Sequence, residues 1–506
     1  MTEDKESELR KAITGTFREN GLLIAASSLD RIIAAGVNPK DVVEEAKKEG
    51  LWIIAEDFIL RFIKTDEELT EIAGEIGDAA ELPVSVVKTK HSYAKDVAPQ
   101  IRIREDTDIT DKSSSDGTMQ NFVDYFNNKY ERLGSILKER PNYRTAVTVE
   151  ALKKLGKTPE PQRIIVMVTE KRESKKGNKF FEAEDPTGQI TVYVKPGERR
   201  LEQAYNDIML DEVIGVEGVL SNNLFVAREI TEPDLPISHP EHRSEEPVCV
   251  AYLSDTHVGS YLFLEKQFKA FIEWLKGSGN RKELSEAIKY VIIAGDLVDG
   301  IGVYPSQEKE LTLPDINKQY AYFTDLVAQI PNYIEVIISV GNHDAVRRAE
   351  PQPKLPHEIA EGLEKLPNVH LVGNPVYADI HGVSHLIYHG TTLDTVIGSF
   401  ADCSYKNPEK AMTHYLRKRH LAPVYGNDNL LPTTRDYMAI NEIPDVLHCG
   451  HVHTNGYGNY RGVRIINSGT WQARTKYQEM LGHQPTPAHM PVLNLQNMEF
   501  TLLHFE

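Results

Sequence analysis

The chain has 506 residues, 40% apolar and 26% charged, an ordinary globular composition with length for about three domains at ~150 residues each. No run approaches the ~18 apolar residues of a membrane helix, and the charged start MTEDKESELRK lacks the apolar stretch of a signal peptide. The net charge of −18 argues against tight unaided binding to nucleic acid, while three scattered cysteines (Cys249, Cys403, Cys449) exclude an all-cysteine zinc site and point to a reducing cytoplasm.

Residues 1–74 are expected to form a small helical module. ELRKAITGTFRENG, SLDRIIAAG, DVVEEAKKEG and AEDFILRFIK carry apolar residues at three-to-four spacing, with Gly21, Gly36 and Gly50 near helix ends. Over 75–118 the periodicity fades, and TDITDKSSSDGT predicts a flexible polar linker. Residues 119–235 begin with a helix, NFVDYFNNKYERLGSILKER, followed by alternating strands. These strands turn at Gly177-Asn178, at DPTG (185–188) and at Ser221-Asn222-Asn223, the pattern of an OB-fold barrel. Phe180, Phe181, Lys175, Lys176 and Lys179 are candidates there for contact with single strands; packing against the next domain is the alternative role. The proline-rich stretch 233–247 then leads into the last domain, placed at 236–506.

In that domain, VCVAYLSD, YVIIAGD, YIEVIISVGN, HLIYHG and DVLHCGH are apolar runs of strand length, as in sheets covered on both faces. Each ends at a polar cluster: Asp255 and His257, Asp296, Asn342 and His343, His389, then His451 and His453. The gaps between clusters, 41, 46, 47 and 62 residues, each accommodate a helix and a return strand. Gly295, Gly341, Gly390 and Gly450 adjoin the clusters, where sharp turns are expected. Seven of these side chains combine hard oxygen donors with imidazoles, a set that suits two divalent cations. His343 remains as a candidate acid. His385 and His448 are expected to pack or to support the site, Asp299 to cap a turn or accept from a ligand, and Cys449 to act as a buried apolar residue. Arg347 and Arg348 are candidates either for holding a substrate phosphate or for bracing their loop.

The ordered set D-x-H, G-D-x-x-D, G-N-H-D, H-G and G-H-x-H resembles the calcineurin-like metallophosphoesterases over roughly residues 248–506. Within it, GNHDAVRRAEPQP, PEKAMTHYLRKRHLAPVYG and HCGHVHTNGYGNYRGVRIINSGTWQ are similar to one branch, the small subunits of archaeal D-family DNA polymerases. This resemblance implies a multidomain α/β and β protein: an α/β/β/α phosphoesterase sandwich preceded by an OB-fold barrel and an N-terminal helical domain. It also implies one metal held by Asp255, His257, Asp296 and His453, and another by Asp296, Asn342, His389 and His451, with Asp296 bridging and His343 as acid. The metals implied are Mn²⁺ first, with Mg²⁺, Fe²⁺ or Zn²⁺ as alternatives. The implied activity is 3′→5′ exonucleolytic proofreading by two-metal phosphodiester hydrolysis. The implied partners are the large catalytic subunit and DNA 3′ ends, with no membrane, in the cytoplasm and at the nucleoid during replication. Two other readings compete: a non-catalytic scaffold subunit with a vestigial metal site, and a phosphoesterase for a small-molecule or phosphoprotein substrate.

Overall fold

A computed structural model describes residues 94–506 except 113–114, 158–159 and 427. Before them it describes 13–17, 20, 23–24, 28–29, 32–33, 38–48, 53–54 and 59. The chain divides into two compact units, Met1–Thr89 and Lys90–Glu506.

In the first unit the helix Pro39–Lys48 buries Val42, Val43 and Ala46 with Ile13, Phe17, Ile32 and Ile59. Two short apolar runs pair as parallel strands, β1 (Leu23–Ile24) with β2 (Ile53–Ile54), so the module is mixed rather than wholly helical. Apart from Ile59, the helix expected over 55–64 lies outside the described residues, as does the linker over 75–93.

The linker expectation fails over its described part. In place of a free connector, β3 (Ile101–Ile103) pairs antiparallel with a later strand over Ala378–Ile380. Its apolar residues Ile101 and Ile103 pack against the sandwich core, and Arg102 and Arg104 bond Asp379 beside it. The polar composition of the neighbouring loop hid a three-residue edge strand.

The helix Met119–Glu139 opens with a capping box between Thr118 and Asn121. Five strands follow: β4 (Gln162–Glu173), β5 (Lys179–Asp185), β6 (Gly188–Val194), β7 (Val213–Ser221) and β8 (Leu224–Thr231). They close into a barrel in the order β4-β5-β6-β8-β7. Alternate residues such as Ile164, Val166, Phe181, Val192, Val216 and Phe225 fill its interior. Asp185 organises the β5–β6 turn: one carboxylate oxygen accepts from Thr187 and Gly188, the other from Val149 at the start of the helix Val149–Leu155.

The sandwich begins with β9 (Cys249–Leu253), β10 (Ile288–Ala294), β11 (Glu335–Ser339) and β12 (Val369–Leu371). It continues with β13 (Val376–Ile380), β14 (Val383–Ile387) and β15 (Val446–Cys449). The remaining strands are β16 (Asn455–Tyr460), β17 (Val463–Ser468), β18 (His489–Asn494) and β19 (Phe500–His504). They form two six-stranded sheets, β12-β11-β10-β9-β18-β19 and β16-β17-β15-β14-β13-β3.

The near-continuous apolar strands have a layered explanation. Successive side chains point to opposite faces. In β9, Cys249, Ala251 and Leu253 meet the helices Glu265–Leu275 and Ile316–Val327, while Val250 and Tyr252 meet the second sheet. On that sheet's far side, Leu447 and Cys449 pack under the helices Leu393–Ser399 and Pro408–Lys418. The layers therefore run helix, sheet, sheet, helix. Cys449 is a buried apolar residue, as expected.

A buried ionic cluster fastens the barrel to the sandwich. Lys418, 1% exposed, lies 2.6 Å from Glu212 and 2.8 Å from Glu232. Arg417 bonds Glu232 and Asp207 at its edge.

Candidate metal centre

Strands β9, β10 and β11 run parallel in one sheet, and β14, β15 and β17 in the other. Their carboxyl ends therefore open in common, the place where open α/β sheets put their ligands. Asp255, Asp296, Asn342, His389 and His451 lie just past the ends of β9, β10, β11, β14 and β15.

The backbone is held in unusual conformations there. Asp255, His257, Asp296, His451 and His453 all adopt positive φ, between 48° and 69°. Such conformations cost free energy for non-glycine residues and persist where the surroundings over-determine them. Here hydrogen bonds do so: His451 N–H donates to Asp255, and His343 N–H donates to Asp296. The glycines divide the work differently from expectation. Gly295 and Gly390 have the positive φ of a sharp turn, whereas Gly341 and Gly450 supply space. A Cβ at Gly341 would stand 2.2 Å from Asp296 Oδ1, and one at Gly450 2.4 Å from Asp255 Oδ2.

The side chains converge. Asp296 Oδ2 lies 3.7 Å from His257 Nε2 on one side and 3.4 Å from His389 Nε2 on the other. Asp255 Oδ1 is 3.3 Å from His453 Nε2, and the Nε2 atoms of His257 and His453 face each other at 3.1 Å. Asn342 Oδ1 lies 3.0 Å from His389 Nε2. Besides His257/Asp299/His343, two sets of donor atoms here fall within metal-binding reach of one another, Asp255/His257/His453 and Asp255/Asp296/His389. Asp296 reaches the imidazoles of both. His451 stands at the edge, its ring 5.2 Å from that of His389, with Nε2 3.2 Å from Asp394.

Burial alone would raise the Asp296 carboxyl, but His389, His343 and His257 hold it well below the usual carboxylate range. Burial would likewise lower His389, yet Asp296 and Asp255 push it up to about 10. Protons on imidazoles balance buried carboxylates here, so a cation bound by the same atoms displaces those protons. The donor set of carboxylates, one amide and imidazoles suits divalent first-row metals.

The supporting residues hold the site's imidazoles and strands in place. Asp299 Oδ1 lies 3.2 Å from His257 Nδ1, and His389 Nδ1 donates to the Ala294 carbonyl, contacts that orient imidazoles toward a metal. His385 bonds Tyr252, and His448 bonds Ser468. His343 Nδ1 lies 2.7 Å from the Asp299 carbonyl, and its ring packs edge-on against His257 at 4.7 Å. Arg347 donates to Pro351 O, while Arg348 donates to Gly302 O and Val303 O.

Three participants escape the sequence reading. Asp344, the last residue of GNHD, accepts from Gly341 N–H, Leu297 N–H and Tyr320 O–H and so ties two site loops together. Asp394, five residues after His389, orients His451. Gln478, in the short helix Lys476–Met480, reaches His453 Nδ1 at 2.9 Å. Asp344 was visible in its motif; the other two carry no signal of spacing.

The profile of the calcineurin-like phosphoesterase family matches residues 250–455, and proteins of that family use divalent metals. The DNA polymerase II small subunit of Archaeoglobus fulgidus is 44% identical over 390 residues, covering 76% of this chain and 77% of that one. The protein of the same name from Methanocaldococcus jannaschii is 42% identical over 410 residues, covering 79% and 68%. That from Thermoplasma acidophilum is 32% identical over 509 residues, covering 99% and 94%. A shared fold with a phosphoesterase domain, and this identity over most of both chains, make the protein a member of the family of archaeal DNA polymerase II small subunits.

Proposed function

We propose that the chain is a 3′→5′ exonuclease that trims mispaired or frayed DNA ends for a D-family polymerase, and that it assembles with the large catalytic subunit. The observation that carries this reading is the position of Asp296. One carboxylate stands between the imidazoles of two donor sets, as a ligand shared by two cations must.

Asp255, His257, Asp296 and His453 would hold one cation, and Asp296, Asn342, His389 and His451 the other, with Mn²⁺ the metal best suited to this mixed set. When bound, the pair supplies an activated water and neutralises charge on the phosphate. The chain's own residues do the rest. Asp299 and the Ala294 carbonyl fix the imidazole orientations. Because a carbonyl only accepts, His343 Nδ1 carries a proton, and only the imidazolium form, with a second proton on Nε2, would have one to give to the leaving sugar oxygen. Burial holds His343 below the ordinary histidine range, and a phosphate anion beside it favours the protonated form.

Exposed apolar groups flank the centre, as a nucleotide substrate needs. Tyr304 stands 6.3 Å, ring to ring, from His343, and the helix that supplies Gln478 also exposes Tyr477 and Met480. Such rings and thioethers give unpaired bases a stacking surface. The five-stranded barrel is read as an OB-fold whose role is to pack on the sandwich and help engage the large subunit. With a net charge of −18, most of the grip on duplex DNA is assigned to that partner. Residues 1–74, 119–235 and 236–506 are read as the three domains.

The test is hydrolysis of a 3′-mismatched primer–template with Mn²⁺, comparing wild type with Asp296→Asn, alone and with the large subunit. Trimming by wild type and none by the variant is expected, with assembly retained in both. Activity retained by Asp296→Asn overturns the metal assignment. Silence of both proteins, even with the large subunit, favours a scaffold role.

A further inference from the structure

A second cluster of metal-ligand side chains lies outside the phosphoesterase centre. The segment joining β8 to β9 contains His-Pro-Glu-His, with two residues between His239 and His242. Both meet Asp445, the residue before β15. His242 Nδ1 lies 3.0 Å from Asp445 Oδ1, and His239 Nε2 lies 3.8 Å from the same oxygen. All three donor atoms fall within 4.8 Å of one another.

Two features distinguish this cluster from an ordinary surface histidine pair. The Asp445 side chain is 0% exposed, and among the described residues only these histidines come within ion-pair distance of it. Its carboxylate is oriented by backbone N–H groups of Ser384 (2.8 Å) and His242 (3.1 Å). His239 Nε2 is itself buried and makes no hydrogen bond. A buried imidazole nitrogen without a partner, facing a buried carboxylate, is costly unless something sits between them.

We infer that His239, His242 and Asp445 form a structural site for a zinc-class divalent cation, pinning the connecting segment to the base of β15. Metal–nitrogen and metal–oxygen bonds of about 2.0–2.2 Å in a tetrahedron put ligand atoms about 3.4 Å apart, and the distances here bracket that value. Two imidazoles and one carboxylate favour zinc over magnesium or calcium, which take oxygen ligands. His242 is half-exposed, so water completes the fourth position from the open side. Asp445 immediately precedes β15, whose four residues, about 13 Å of strand, lead toward His451. The cation would thus anchor the segment from the barrel to the strand that presents the catalytic-domain histidines. This inference stands apart from the reading of the phosphoesterase centre.

The test uses the full chain and zinc alone. After equilibration with zinc and removal of the free ion, wild type is expected to retain one more zinc per chain than a His239→Ala/His242→Ala variant. The phosphoesterase centre is common to both, so it cancels in the difference. Equal content overturns the site. Should the double variant misfold, His242→Gln replaces only the half-exposed ligand and should weaken zinc at this site at least tenfold; unchanged affinity overturns it. Anomalous diffraction at the zinc edge of the wild-type protein should show a peak among His239, His242 and Asp445. Peaks confined to the phosphoesterase centre contradict the inference.

Discussion

In the barrel, charged groups pair off locally. Arg163 bonds Glu217 across β4 and β7, Arg172 bonds Glu182, and Asp185 spends both oxygens on its own turn and the neighbouring helix. At the strand ends of the sandwich the same residue types are gathered instead. Asp255 and Asp296 share three imidazoles, those of His257, His389 and His453, and both carboxylates sit on left-handed backbone. The lesson concerns chemistry rather than composition. Where polar groups satisfy each other pairwise they build a fold, and where they converge with donors left over they build a site.

The contrast is broken most severely at the shared centre. His389→Ala removes a donor facing both Asp296 and Asn342, and phosphodiester hydrolysis should fall about 10³-fold or more while the fold survives; metal titration and steady-state rates check this. His343→Ala should slow turnover by about 10²–10⁴-fold with both metals retained, because it removes a proton donor and no ligand. Loss of metal in that variant would make His343 a ligand.

In the region where groups pair off, the largest effect is structural. Lys418→Ala leaves Glu212 buried without a cation and Glu232 with Arg417 alone, and should cost about 3–5 kcal/mol of stability, read as a lower denaturation midpoint. Acid sharpens the comparison further. Burial against Tyr252 pushes His385 down to about 4, whereas in the unfolded chain it titrates near the ordinary value of about 6.5. The unfolded state therefore binds the extra proton between those values, and stability is lost as pH falls from about 6.5 to about 4. The loss is on the order of 3 kcal/mol and levels off below that window. Denaturation at fixed pH steps measures it, and His385→Gln should flatten the slope. The smallest effect is expected on the barrel surface: Phe180→Ala should change single-strand affinity by less than about twofold. That ring is already packed against Tyr193 and Arg172.

The barrel also shows where residue types mislead. Phe181 was a candidate for stacking on bases, but it points inward and is 0% exposed in the barrel core. In an alternating strand, Phe180 and Phe181 must face opposite sides, and the pattern alone does not say which side is wet. Lys175 and Lys176 are exposed at the hairpin tip, while Lys179 bonds Asn206. The sandwich was far more legible. Its five apolar runs end in ligand-type residues, and both the strands and their common edge are where that pattern places them, because a buried parallel strand carries few polar residues before its end, His385 and His448 being hydrogen-bonded exceptions. Long-range placement was not legible: β3 adds to a sheet almost 280 residues away, and Asp394 and Gln478 approach the centre from outside any motif. Nothing local marks a residue whose role is set by distant packing.

The most direct test of the account is the number and position of metal ions in the wild-type chain loaded with manganese, read by anomalous diffraction at the manganese edge. The account predicts two ions roughly 3.5–4 Å apart with the Asp296 carboxylate between them. A single ion, or two ions with Asp296 bound to neither, would contradict it.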